Sequence, residues 1–168
     1  MTVQGLTLRM TKVYHRFLVQ ILSNSQLKML IRETPFQDIR VRIWKKLGNQ
    51  IVEGSQINNT IILLDSPELF PNITLGDRVA MGTNVTFITA SSPNNSVLGQ
   101  AEYAQRFIRT APISIGDDTW IGANCVIQPG IRIGKRCIIG SCSNVTRDIP
   151  DDCLAYGNPA KIIRRLTE

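Results

Sequence analysis

From Ile51 onward an apolar residue returns every six positions. It stands at Ile51, Ile57, Leu63, Leu69, Leu75, Met81 and Phe87 and, after a break, at Ile115, Ile121, Ile127, Ile133, Ile139 and Val145. A helix gives an apolar period of 3.6 and a half-buried strand a period of 2, so neither accounts for it. Glycine follows directly at Gly76, Gly82, Gly116, Gly122, Gly134 and Gly140. Four positions after the apolar residue stand small or branched side chains: Ser55, Ile61, Ile73, Val79, Val85, Thr119, Cys125, Ile131, Cys137, Ser143 and Ile149, with Pro67 the exception. The pattern predicts a coil of three short flat strands, each hexad supplying one strand and one sharp corner. The apolar residue points inward, and glycine, asparagine and aspartate suit the corners because they tolerate positive φ. No coil buries its apolar face alone, so coils must stack, and thirteen hexads make a little over four.

The flanks read differently. Residues 1–50 form a helical, basic segment. Over 8–32, Val13, Phe17 and Ile21 share a stripe, with Leu18 and Leu22 beside it and Asn24-Ser25 a candidate break. Thr34-Pro35-Phe36-Gln37 then predicts a capping threonine, a proline at the first helical position and a glutamine at the third. Phe36, Ile39, Ile43 and Leu47 give that helix its apolar face, and Gly48 ends it. The coils occupy 51–150. The break at 89–112 is too long for a corner and reads as a loop leaving the coil, the kind of segment that carries function on a rigid scaffold. Ile149-Pro150 stops the coils. Residues 151–168 read as a loop and a short helix, capped at Asn158-Pro159 and running through Lys161, Ile162, Ile163, Arg164 and Arg165.

Charge divides along the same line. Residues 1–50 carry nine Lys/Arg against two Asp/Glu, whereas the remainder nearly balances. No groove-reading motif accompanies the basic segment, which argues against nucleic acid. A solvated helix face is the plain reading, and docking to a membrane surface or an anionic glycan the sharper one. No run of 18 apolar residues and no leader pattern are found, so a cytoplasmic protein is expected. The Asn-x-Ser/Thr triplets starting at Asn58, Asn72, Asn84, Asn94 and Asn144 are then simply turn residues. Cys125, Cys137, Cys142 and Cys153 form no CxxC pair and have no companion histidines, so four buried thiols are expected and no metal site.

Several runs carry a resemblance. Ile115-Gly116-Asp117-Asp118-Thr119-Trp120-Ile121-Gly122-Ala123-Asn124 is one, and Ile127-Gln128-Pro129-Gly130-Ile131-Arg132-Ile133-Gly134 another. Gly140-Ser141, Thr146-Arg147-Asp148-Ile149-Pro150 and Gly157-Asn158-Pro159-Ala160-Lys161 complete the set. Together they resemble the hexapeptide-repeat acyltransferases, above all the maltose, galactoside and polysaccharide O-acetyltransferases. That resemblance implies a mainly β fold, a single-stranded left-handed parallel β-helix. It implies a homotrimer with sites between subunits, acetyl-CoA as co-substrate, no metal, and a sugar or saccharide acceptor. By position it implies that the backbone at Ala123 and Ser141 contacts the pantetheine arm. Thr146 and Arg147 would lie near the nucleotide end, and Lys161 and Arg164 near the phosphates, where cations are needed. Trp120 and Asn58 (or its neighbour Asn59) would face the acceptor. The plainer readings are a solvated terminal helix for the two cations and simple packing for Trp120.

One expected residue is missing. A sugar hydroxyl is a poor nucleophile at neutral pH and needs a general base to attack a thioester. The family supplies a histidine at the start of the loop excursion. Here the stretch reads Thr86-Phe87-Ile88-Thr89-Ala90-Ser91-Ser92-Pro93, with Ser92 in the histidine's place. The single histidine, His15, lies in the helical segment. Three readings follow: an amine acceptor that needs no strong base; a carboxylate substitute among Asp65, Glu68 and Glu102; or a catalytically silent trimer that binds or scaffolds.

Overall fold

A computed structural model of the chain describes residues 3–52, 54–58, 60–64, 73–93 and 96–166. Three helices come first: α1 (Val3–Ile21), α2 (Asn24–Glu33) and α3 (Gln37–Lys46). The break between α1 and α2 is made by Ser23. Its backbone N–H donates to Gln26 Oε1 at 3.0 Å and its hydroxyl accepts from the Gln26 N–H, a reciprocal cap. Thr34 does not cap α3 as the sequence suggested; it ends α2, its N–H donating to the Leu30 carbonyl at 2.9 Å. The Thr34 hydroxyl is engaged by His15 Nδ1 at 2.9 Å and its carbonyl by the Arg40 guanidinium at 2.8 Å. The next helix therefore starts behind Phe36, without a side-chain cap.

Leu27, Leu30, Ile31, Ile39, Ile43, Trp44 and Leu47 bury one face of α2 and α3, and Val19 joins them from α1. The expected α1 stripe does not join that cluster. Val13, Phe17 and Ile21 point outward and are exposed, while His15, Leu18, Val19 and Leu22 face the body.

The chain then winds through β1 (Gln50–Ile51), β2 (Ile62–Leu64), β3 (Ile73–Leu75), β4 (Ala80–Met81) and β5 (Thr86–Ile88). An excursion follows, closed at its base by the antiparallel pair β6 (Ala90–Ser91) and β7 (Arg109–Thr110) and holding a 3-10 turn, Val97–Gln100, and α4 (Glu102–Gln105). Winding resumes with β8 (Ile113–Ile115), β9 (Trp120–Ile121), β10 (Val126–Ile127), β11 (Arg132–Ile133), β12 (Ile138–Ile139) and β13 (Asn144–Val145). It ends in β14 (Cys153–Gly157) and β15 (Ala160–Arg165).

These strands stack as three parallel ladders: side A, β1-β3-β8-β11; side B, β2-β5-β10-β13; and side C, β4-β9-β12-β14. Ile115 pairs with Ile133, Ile121 with Ile139 and Ile127 with Val145, each eighteen residues on, which is three hexads per turn. Ile149 bridges to Ile133 and opens a fifth coil. The excursion enters at the corner between sides B and A without disturbing the register, since Phe87 still pairs with Ile127. Leu63 and Leu75 lie one hexad further apart than successive sides need; Leu69 and Pro67 fall in that stretch, outside the described residues.

Every described apolar position of the hexads is buried or packed against the core, and every described residue four places later is buried except Ser91, which is exposed at the base of the excursion. The corners differ from expectation in one respect. The left-handed backbone falls three places after the apolar residue, at Arg78, Asn84, Asp118, Asn124, Arg136, Cys142 and Asp152. The glycines one place after it answer to crowding instead. A Cβ on Gly122 would lie 2.5 Å from the Ser141 nitrogen, and one on Gly116 2.6 Å from the Gly134 carbonyl carbon. Of the cysteines, Cys125, Cys137 and Cys153 are buried, but Cys142, at a left-handed corner, is exposed.

Both ends are covered. Trp44 of α3 packs edge-on against Phe87 of the second coil, ring centres 6.1 Å apart, and its indole N–H donates to the Gln50 carbonyl at 3.2 Å. At the other end the expected short helix through Lys161–Arg165 is absent. Those residues form β15, which turns back at Asn158-Pro159 and pairs antiparallel with β14. The open edge of β14 supplies the hydrogen-bonding partners, and Ile162 and Ile163 suit an extended backbone better than a helix.

Candidate functional site

The residues singled out in the sequence fall on two edges of the three-sided coil. The first is the corner between sides C and B. Ala123 follows β9 and Ser141 follows β12, one directly beyond the other: the Ala123 carbonyl accepts from the Cys142 N–H at 2.8 Å. Asn58 stands at the head of this edge, its Oδ1 taking the Thr60 N–H at 3.1 Å. An asparagine ladder runs alongside, with Asn84 Nδ2 donating to Asn124 Oδ1 at 3.2 Å. The sequence reading passed over this ladder, although its spacing of three after the apolar residue carried the signal. Asn59 lies outside the described residues.

Side C adjoins that edge. Trp120 is 57 % exposed, so packing inside this chain does not explain it. It stands in register with Ala80 on one side and Ile138 on the other, and the row continues through Leu154 to Arg164. Trp120 and Arg164 are thus separated by three strand spacings, roughly 14 Å. Lys161 pairs with Tyr156 on the same hairpin.

The second edge lies between sides B and A. Thr146, Arg147 and Asp148 follow β13 there, and the excursion leaves from the same corner two coils earlier. Arg109 and Thr110 of the excursion, Pro129 and Gly130, and Thr146 and Arg147 line one shallow cleft. Ser92 follows β6 and is exposed. Arg109 was not foreseen, because the pairing of Ser91 with Arg109 that brings it there joins residues far apart in sequence. Side B separates this edge from the first, so one chain does not unite Ala123 and Ser141 with Thr146, Arg147 and Ser92.

The cations sort into two groups. Lys135 and Arg136 are spent on carboxylates of adjacent coils, Asp117 and Asp152, and Arg78 on Asp118 and Asp77. Arg147, Lys161 and Arg164 are exposed and form no ion pair among the described residues. Their charges remain available to an anionic ligand.

The candidate bases fare unequally. His15 sits on the inner face of α1, bonded to Thr34 and edge-on to Phe36 at 5.8 Å, in the helical cap and not on either edge. Glu102 opens α4 at the surface of the excursion. Asp65 and Glu68 lie outside the described residues. Among the described residues no group of three or more His, Cys, Asp or Glu side chains is placed to hold a metal.

Known proteins similar to this chain share its six-residue repeat. The profile described as bacterial transferase hexapeptide (six repeats) matches residues 112–147. A provisionally named acetyltransferase of Staphylococcus aureus is 36% identical over 142 residues, covering 73% of this chain and 69% of that protein. The chain belongs to the hexapeptide-repeat acyltransferase family. A galactoside O-acetyltransferase of Lactococcus lactis is another relative in it, 34% identical over 117 residues, which is 68% of this chain and 52% of the relative. The chain thus spans about half the length of that relative. Among solved structures, a hexapeptide-repeat-containing acetyltransferase from Vibrio cholerae superposes with a TM-score of 0.60 at 28% identity, over 86% of this chain and 89% of that one. The same Vibrio protein has been solved in complex with acetyl coenzyme A.

Proposed function

We propose that this chain is an acetyl-CoA-dependent acetyltransferase acting on a sugar or saccharide intermediate, and that it works as a homotrimer of left-handed coils. The observation that carries the reading is the division of the candidate residues between two edges of one protomer. Packing the C/B edge of one copy against the B/A edge of the next would bring Ala123, Ser141 and Trp120 opposite Thr146, Arg147 and the excursion. The residues present suit the donor. Lys161, Arg164 and Arg147, which form no ion pair among the described residues, offer positive charge to phosphates. Carbonyls and amides at the corners offer partners to an amide-rich arm. Trp120 offers an exposed aromatic face to a sugar ring.

Acetyl-CoA, when bound, supplies the activated acyl group. The acceptor's nucleophile attacks the thioester carbonyl, the C–S bond breaks, and the acceptor's proton must leave. Ser92 cannot take that proton near pH 7, so the reading favours an amine, which attacks once neutral, over a hydroxyl. The test measures thiol release and acetylated product with acetyl-CoA and a panel of amino- and hydroxy-sugars. Transfer to an amino-sugar is the expected result. Retention on immobilised CoA without transfer to any acceptor overturns it in favour of the second reading, which Ser92 itself motivates: a trimer that binds and scaffolds without turnover. The trimer is tested separately by sedimentation, where a species of a single 18.7 kDa chain would refute it.

A further inference from the structure

The outward face of α1 is apolar along its length. Met10, Val13, Tyr14, Phe17 and Ile21 follow the spacing of a single helical stripe and are each 55–66 % exposed. This is no scatter of surface hydrophobics: the five are contiguous, and the opposite face of the same helix, His15 and Val19, already meets the body. The helix is therefore amphipathic in two directions, and its larger apolar face has no cover from this chain among the described residues.

Charge decides what that face fits. Arg9 borders the apolar depression formed by Met10, Val13, Tyr14 and Phe17. Lys12 and Arg16 lie on the flank of the helix and share one carboxylate, Asp38, at 2.9 and 3.0 Å, so the three groups together stay positive. α1 contains no acidic residue, and residues 1–50 carry nine Lys/Arg against two Asp/Glu. A second copy's α1 laid on this face would set like charges side by side, which opposes pairing. An anionic lipid surface matches both features at once. Headgroup phosphates meet the arginines and lysines, and the acyl boundary receives Phe17, Val13 and Ile21, with Tyr14 suited to the interface between them. No helix among the described residues is long and apolar enough to cross a membrane, so the contact is with the surface.

We infer that α1 docks this protein on anionic bilayers through the Met10–Ile21 stripe. The experiment floats the full chain with vesicles of phosphatidylcholine alone and of phosphatidylcholine with about a third phosphatidylglycerol, for the natural sequence and for Phe17→Glu and Val13→Glu. Both positions are solvent-exposed, so the variants keep the fold; an unchanged melting temperature verifies that. Expected is recovery with the anionic vesicles only, falling at least about tenfold in either variant and in high salt. Equal recovery on neutral vesicles, recovery unaffected by the glutamates, or none on either lipid overturns the inference. So does a drop in oligomer size on Phe17→Glu without any lipid binding, because the stripe would then be buried between copies. These outcomes are independent of whether acetyl transfer is observed.

Discussion

At the scale of single residues, two glycines of adjacent hexads carry different burdens. Gly122 is closed in by the backbone of the next coil, so Gly122→Ala forces coils apart and should cost about 1–3 kcal/mol or more. Gly130 has φ +81, but the nearest atom to an added Cβ is the Ala111 methyl at 3.3 Å, so Gly130→Ala should cost only about 1 kcal/mol of left-handed strain. Urea unfolding of the two variants checks the order. Deleting interior volume is more severe still: Ile127→Ala in the fully buried column should lose about 2–5 kcal/mol. The exposed cations behave oppositely. Lys161→Ala with Arg164→Ala should raise KM for acetyl-CoA about tenfold or more with kcat little changed and no shift in melting temperature, since neither side chain forms an ion pair among the described residues. How much of the site was legible depended on this same distinction. Ala123, Ser141, Thr146 and Arg147 were candidates because the runs that hold them resemble those of the hexapeptide-repeat acyltransferases. Arg109 was not, because only the pairing across the excursion puts it beside Thr146 and Arg147.

At the scale of elements, the coils are tied along one corner by Lys135–Asp117, Arg78–Asp118 and Arg136–Asp152. Asp117 is held below the usual carboxylate range first by the Asp77 backbone N–H and then by Lys135; Asp118 and Asp152 are held there first by their arginines. A carboxylate with a depressed folded-state pKa stabilises the fold above its unfolded pKa and stops doing so as pH falls through the folded value. Melting temperature should therefore be flat from neutral pH to about 5 and fall below about 4, with Asp118→Asn removing part of the fall. The groups are exposed, so each contribution is small and weakens in salt. The winding itself was legible because the period of six excludes both ordinary helices and hairpins. The last element was not. An Asn-Pro followed by basic and apolar residues matches a capped helix locally, and only the free edge of β14 turns it into a strand. The same limit applies to α1, whose stripe of Val13, Phe17 and Ile21 was read correctly as one face without any sign of which way it looked.

At the scale of the whole molecule, charge and shape are segregated. A basic helical cap sits on one end of a nearly neutral coil, joined through a single apolar cluster that runs from Val19 to Ala155. Trp44 is the joint, fully buried between α3 and Phe87, so Trp44→Ala should cost about 3–5 kcal/mol and loosen the cap from the first coils together. Hydrogen exchange that deprotects β1 and the helices ahead of β9–β13 would show it; uniform loss across the chain would contradict it.

A repeat with this regularity has no intrinsic length: any coil offers the next the same ladder. On side C that invitation is withdrawn by β15, which runs against the grain of every strand before it. Another copy arriving there would meet a strand of reversed polarity and no matching register. The hairpin thus acts as a terminator, keeping a self-similar architecture from growing into a fibre.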